Sequence, residues 1–102
     1  MGFKMAIIVG KKWDPGAIYV GRGSPLGNPF KMYKEADRNM VCDSYHNWFY
    51  AMVENNDPKI MKELDRLKRL ASQGDLVLGC YCAPRRCHAE TIKEYLDKEL
   101  GA

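Results

Sequence analysis

Three of the chain's four cysteines, one of its two histidines and two arginines fall within the twelve residues from Gly79 to Glu90, directly after the apolar run Leu76-Val77-Leu78. A short apolar run of this kind reads as a buried strand, and the pattern from Thr91 onward reads as a helix. The cysteines therefore stand where a strand hands over to a helix. In open α/β sheets, that edge is where ligands bind, in the crevice beyond the carboxyl ends of the strands.

The rest of the chain supplies the elements such a sheet needs. The run from Met5 to Val9, with β-branched Ile7, Ile8 and Val9, predicts a first strand. Asp14-Pro15-Gly16 has turn chemistry, and a second strand is expected from Ala17 to Gly21. The linker of about six residues would let these two strands form a hairpin. From Glu35 to Glu54, Val41, Tyr45, Trp48, Phe49 and Met52 recur at helical spacing and form one apolar face. Asp57 and Pro58 fit the N-cap and first position of a second helix. Ile60, Leu64, Leu67 and Ala71 line its inner face, Lys62, Asp65, Arg66 and Arg69 are left to solvent, and Gly74 is expected to stop it. A third strand follows from Leu76 to Cys82, then a third helix from about Cys87 to Leu100 that is expected to bury Ile92, Tyr95, Leu96 and, at its end, Leu100. The order β, β, α, α, β, α predicts a small α/β fold of about three strands, partly parallel, with three helices, the third strand returning parallel to an earlier one. At 102 residues, 46% of them hydrophobic, one domain over residues 1–102 is expected.

The first ten residues are too short an apolar stretch for a signal peptide or a membrane span, so a cytoplasmic protein without membrane association is expected. Thiols stay reduced there, and a Cys-x-Cys-x4-Cys spacing then points to metal or to thiol chemistry before disulfides. The net charge of +3 suits an anionic partner and falls short of a dedicated duplex binder.

In an extended strand Cys80 and Cys82 share a face, with Cα atoms about 6.6 Å apart at a rise of roughly 3.3 Å per residue. Two thiolates sharing a metal suit that spacing better than a disulfide. Cys87 follows a loop long enough to turn back toward them. Three readings compete. Cys80, Cys82 and Cys87 hold zinc or an iron–sulfur cluster, with a position left open or filled by His88. Alternatively Cys87 is a metal-free nucleophile, its pKa lowered by a helix N-terminus and by Arg85 and Arg86. In the third reading the cysteines fill a core. Cys42, at the margin of an apolar helix face, is assigned to the core. His88 is a candidate ligand or proton carrier. His46 reads as structural or exposed, and Glu90 and Glu94 as helix carboxylates.

A second loop, Gly21 to Phe30, contains three glycines and two prolines, which exclude helix and ladder across most of it. Arg22 with exposed N–H groups at Gly23, the Ser24 hydroxyl and Asn28 could grip phosphate or carboxylate. The pattern is neither a Walker loop nor a dinucleotide fingerprint, and a rigid turn is the competing reading. If the strands are parallel, both loops share one sheet edge, and Arg22, Ser24, Asn28, Arg85 and the three cysteines line one cleft.

The stretch Gly21-Arg22-x-Ser24-x-x-Gly27-Asn28-Pro29-Phe30, the pair Tyr45 and Trp48, and Gly79-Cys80-Tyr81-Cys82-Ala83-Pro84-x-x-Cys87-His88 resemble the small phage and bacterial proteins grouped as domain of unknown function 4326. The resemblance runs from about Ile18 to Leu96. It implies that the two loops belong together and brings no reaction with it. The residues themselves point to an enzyme, desulfidase- or hydrolase-like, acting on a nucleotide, nucleoside or modified base, thiolated bases included. In it Cys80, Cys82 and Cys87 hold a metal or cluster, Cys87, His88 and Ser24 are the catalytic candidates, and Arg22, Gly23, Ser24, Asn28 and Arg85 bind the substrate. The alternatives are the metal-free thiolate enzyme and a zinc-stabilised module gripping a nucleotide or single-stranded nucleic acid.

Overall fold

A computed structural model describes residues 6–82 and 85–101. Met5, at the start of the expected first strand, and Ala83 and Pro84 in the cysteine loop lie outside the described residues. Strands β1 (Ile7–Lys11), β2 (Ile18–Tyr19) and β3 (Leu76–Cys80) form one sheet, and the helices are α1 (Arg38–Glu54), α2 (Pro58–Ala71) and α3 (Ala89–Leu100), with a single 3-10 turn at Glu35–Asp37 leading into α1. The fold is thus a small α/β sheet with three helices, as the order of elements predicts.

The strand order is β1-β3-β2, and both pairings are parallel, Ile7 opposite Leu76 and Ile18 opposite Leu78. The expected hairpin does not form, because β3 lies between its two strands. The connection from Lys12 to Ala17 instead crosses over β3 at Gly79. Lys12 N–H donates to the Cys80 carbonyl and Val20 N–H to the Gly79 carbonyl, both at 3.0 Å. A Cβ at position 79 would stand 3.0 Å from Lys12 Cα and 3.1 Å from Ala17 Cβ. Any larger residue here would push the crossing backbone away by a few tenths of an ångström.

Leu76, Leu78 and Cys80 alternate toward the helices and are buried, together with Ile7 from β1. On the opposite face Ile8 is 44% exposed, so the helices cover one side of the sheet. The α1 face expected from its spacing is the one that packs: Val41, Tyr45 and Phe49 are buried, with Trp48 and Met52 partly buried beside the core. Complete burial of a side chain such as Phe49, Leu64 or Leu96 stabilises the fold by about 1.5–3 kcal/mol each. The α2 cap is as expected, with Asp57 Oδ2 accepting from Ile60 N–H at 3.1 Å and Pro58 opening the helix. Its end differs. The helix stops at Ala71, Ser72 keeps a right-handed helical conformation and donates its hydroxyl to the Arg69 carbonyl, and Gly74 does not adopt a positive φ. The left-handed glycine cap appears instead at Gly101, after α3, and Leu100 just before it is exposed rather than buried.

Candidate functional site

Strand β3 ends at Cys80, two residues earlier than the alternation suggests, and Cys82 sits in a bend. The shared strand face is therefore not what brings Cys80 and Cys82 together. Beyond the bend, Arg85 N–H donates to the Cys82 carbonyl at 2.9 Å. Cys87 returns at the entrance of α3, where its carbonyl accepts from Glu90 N–H and its Sγ accepts from Ala89 N–H at 3.5 Å. The outcome is a triad. The Sγ atoms of Cys80, Cys82 and Cys87 all lie within 4.8 Å of one another, with Cys80 and Cys87 buried and Cys82 half-buried.

Arginine contacts strap this loop to the 3-10 turn and the start of α1. Arg86 Nη2 reaches Asp43 Oδ1 at 2.8 Å and its Nη1 reaches Asn39 Oδ1 at 3.1 Å, while Arg85 pairs with Glu35 at 3.1 Å. Arg38 donates from Nη1 to the Arg86 carbonyl at 2.9 Å and is itself held by both Glu35 oxygens, at 2.6 and 2.9 Å. Its side chain is only 11% exposed. Glu35, and after it Cys82, raise the Arg38 pKa, so this guanidinium is a fixed cation against the sulfur triad.

The triad forms the floor of a cleft of about 330 Å³ whose walls include Gly21, Arg22, Asn28, Tyr81 and His88. Both loops therefore meet, as parallel strands require. Arg38, Arg86 and Cys42 also line it. Cys42 is buried, and burial pushes its pKa up. It stands outside the triad described above.

Within the Gly21–Phe30 loop the polar groups largely satisfy one another. Arg22 makes its two contacts to main-chain oxygens, Nη1 to Asn28 at 2.7 Å and Nη2 to Phe30 at 2.8 Å. Ser24 Oγ donates to the Gly21 carbonyl at 2.7 Å, and Asn28 Oδ1 accepts from Phe30 N–H at 2.8 Å. Arg22 thus builds the loop while leaving its charge on the cleft wall. Gly23, Ser24 and Arg85 are not among the lining residues. Arg85 is 67% exposed beside Glu35.

His88 is buried. Its Nε2 lies 2.6 Å from the Val20 carbonyl and must carry the proton there, which leaves Nδ1 as an acceptor 3.4 Å from Cys87 Sγ. Burial lowers its pKa, and its ring packs edge-on against Tyr45 with centroids 4.9 Å apart. Tyr45, wholly buried, donates its hydroxyl to the Leu26 carbonyl at 2.8 Å. This joins α1, the glycine loop and the cysteine segment around one histidine. His46 lies 43% exposed beside Glu94, at 3.7 Å, on the far side of Cys42.

The thiol of Cys87 is pushed up, first by its hydrogen bond with Cys80 and then by burial. That is opposite to the lowering expected from the arginines and the helix start. Crowded thiols resist ionising together unless a cation neutralises them. Sulfurs bound tetrahedrally at about 2.3 Å to one zinc-like ion stand about 3.8 Å apart, so a small closure of the triad would let it hold such an ion. A cubane cluster binds each cysteine through a different iron and needs wider spacing. The donor set fits a single soft ion better.

Arg38, Glu35 and Tyr45 carry this architecture, and sequence reasoning gave none of them a role at the site. A phenol in the middle of an apolar helix face, as at Tyr45, was the one available cue, since a buried hydroxyl requires a partner.

The family model for a domain of unknown function, DUF4326, matches residues 8–98. No curated protein and no solved structure matches the chain.

Proposed function

We propose, on the premise that this chain belongs to the domain-of-unknown-function family DUF4326, that it is a cytoplasmic enzyme acting on a nucleotide, nucleoside or modified base at a three-cysteine metal site. The observation that carries the reading is the convergence of Cys80, Cys82 and Cys87 within 4.8 Å on the floor of a cleft rimmed by arginines. Cys80, Cys82 and Cys87 would hold a metal ion through three protein ligands, the number found in catalytic rather than closed structural sites. A metal held by these three cysteines would supply Lewis acidity toward a carbonyl, a water or the sulfur of a thiolated base.

The chain's own residues do the remainder. Arg38 keeps a positive charge against Cys82, and Arg22 and Arg86 set two more along the cleft walls, where an anionic group is favoured. His88, fixed through Val20, presents Nδ1 toward Cys87 and orients that side chain. Tyr19, Tyr81 and Met32 give the cleft apolar lining suited to a base. Ser24 supports the loop from behind through Gly21. Calorimetric titration of anaerobically purified protein with nucleosides and nucleoside monophosphates, plain and thiolated, tests this reading. Binding is expected, tighter for the phosphorylated forms. Absence of binding by every one of them would overturn it. The module alternative, in which metal only rigidifies the loop, predicts binding without turnover of any thiolated base.

A further inference from the structure

Beside the cleft stands an exposed patch of aromatic and basic side chains. The crossing at Gly79 carries Lys12 and Trp13 over the end of β3, next to Tyr81. Trp13 is 65% exposed and Tyr81 62%, with ring centroids 6.3 Å apart, and Tyr19 meets Tyr81 edge-on at 6.0 Å. Two lysines are fastened to these rings. Lys12 Nζ donates to Tyr81 Oη at 2.8 Å and lies 4.8 Å from the Tyr19 ring, and Lys11 Nζ lies 5.7 Å from the Trp13 ring. The nearby carboxylate, Asp14, accepts from Lys11 N–H at 2.8 Å and is occupied in closing the turn. Tyr19 and Tyr81 also line the cleft, so the patch and the cleft are one continuous surface.

Exposed aromatic rings with ammonium groups held against them offer a stacking surface for a base and cations for the phosphate that follows it, and every base has a π-face to offer. Aromatic rings alone would suit many apolar partners. The paired lysines select a polyanion whose charges recur one per base.

We propose that the substrate is a single-stranded polynucleotide, with one base entering the cleft and a neighbouring base stacking on Trp13 and Tyr81 while Lys11 and Lys12 meet the intervening phosphates. This rests on the nucleotide reading of the cleft and extends it from a free nucleotide to a base within a strand.

The test compares 5′-thymidylate with the single-stranded hexamer of deoxythymidylate and of uridylate, by calorimetry and by quenching of tryptophan fluorescence, in wild type, Trp13→Ala and Lys11→Gln. The hexamers are expected to bind at least tenfold more tightly than the mononucleotide. Trp13→Ala should cost about tenfold on the hexamer, Lys11→Gln should flatten its salt dependence, and neither should alter mononucleotide affinity. Hexamer binding that depends on Trp13 while the mononucleotide binds too weakly to measure also supports the proposal. Equal affinity for hexamer and mononucleotide overturns the strand while leaving the cleft reading intact. Failure of all three ligands overturns both. Self-association abolished by Trp13→Ala, without discrimination between hexamer and mononucleotide, marks the patch as a contact between copies of the chain and also overturns the proposal.

Discussion

The Arg38 guanidinium and the Arg86 main-chain carbonyl, 48 positions apart in sequence, are joined by a 2.9 Å hydrogen bond that ties the start of α1 to the loop carrying the cysteines. Glu35 holds Arg38 in place from the other side. Arg38→Ala should therefore loosen the loop without emptying the core, weakening metal retention about tenfold and lowering stability by about 1–2 kcal/mol, the scale of a charge-assisted bond at a partly exposed site. Chelator competition and thermal melting measure the two effects. Arg38→Lys should restore little, because an ammonium cannot serve Glu35 and the Arg86 carbonyl in one fork.

The same clamp fixes a pH response. Arg38, with Arg85 beside it, holds the Glu35 carboxyl well below its ordinary 4.5, at about 2. A depressed folded-state pKa means that its contribution to stability is fully present above 4.5 and is lost as the pH falls from there through about 2. Carbon-detected NMR titration of Glu35 should show a midpoint near 2, and a midpoint at the ordinary value would mean that the clamp is open in solution.

Gly79→Ala tests the chain crossing. The added methyl meets backbone at Lys12 and the Cβ of Ala17 rather than a flexible side-chain end, so the variant should lose about 1–3 kcal/mol by overpacking and displace Lys12 and Trp13. Gly74→Ala, where nothing lies within 4 Å of the new carbon and φ is not positive, should be neutral or slightly stabilising. Denaturant melts of the two variants give the comparison.

Tyr45→Phe keeps the ring and removes the only change of interest, the hydroxyl that satisfies the buried Leu26 carbonyl. A loss of about 1–3 kcal/mol is expected for the orphaned acceptor. Faster hydrogen exchange should be confined to the Gly21–Phe30 loop.

Much of this architecture can be read from residue order. Apolar periodicity places α1, α2 and α3 within a few residues, Asp57-Pro58 marks a helix start, and Cys80, Cys82 and Cys87 declare a cluster by proximity. What periodicity cannot supply is pairing. A linker of six residues looks like a hairpin until β3, some sixty residues later, is known to need the space between the two strands, and the cue was a glycine, Gly79, whose meaning depends on what crosses it. Arg22 illustrates a different gap. Its motif reads as an anion grip, yet the carbonyls of Asn28 and Phe30, from the same loop, take both of its Nη groups, because a loop without ladder partners must satisfy its own polar groups. Arg38 left no periodic signal at all, since its role comes from a partner 48 residues away.

The most direct test is a count of thiolates on a bound ion. Cobalt titrated anaerobically into the reduced protein should bind one equivalent with the intense thiolate-to-metal absorption of three sulfur ligands and tetrahedral visible bands, and zinc should displace it. Cys80→Ser, Cys82→Ser and Cys87→Ser should each lose that signature, whereas Cys42→Ser should keep it. A brown protein as isolated, with absorption near 400 nm and bound iron and sulfide, would replace the single ion by a cluster. Folded wild-type protein that binds no metal under these conditions, or a Cys82→Ser variant that binds it unchanged, would contradict the shared three-cysteine site.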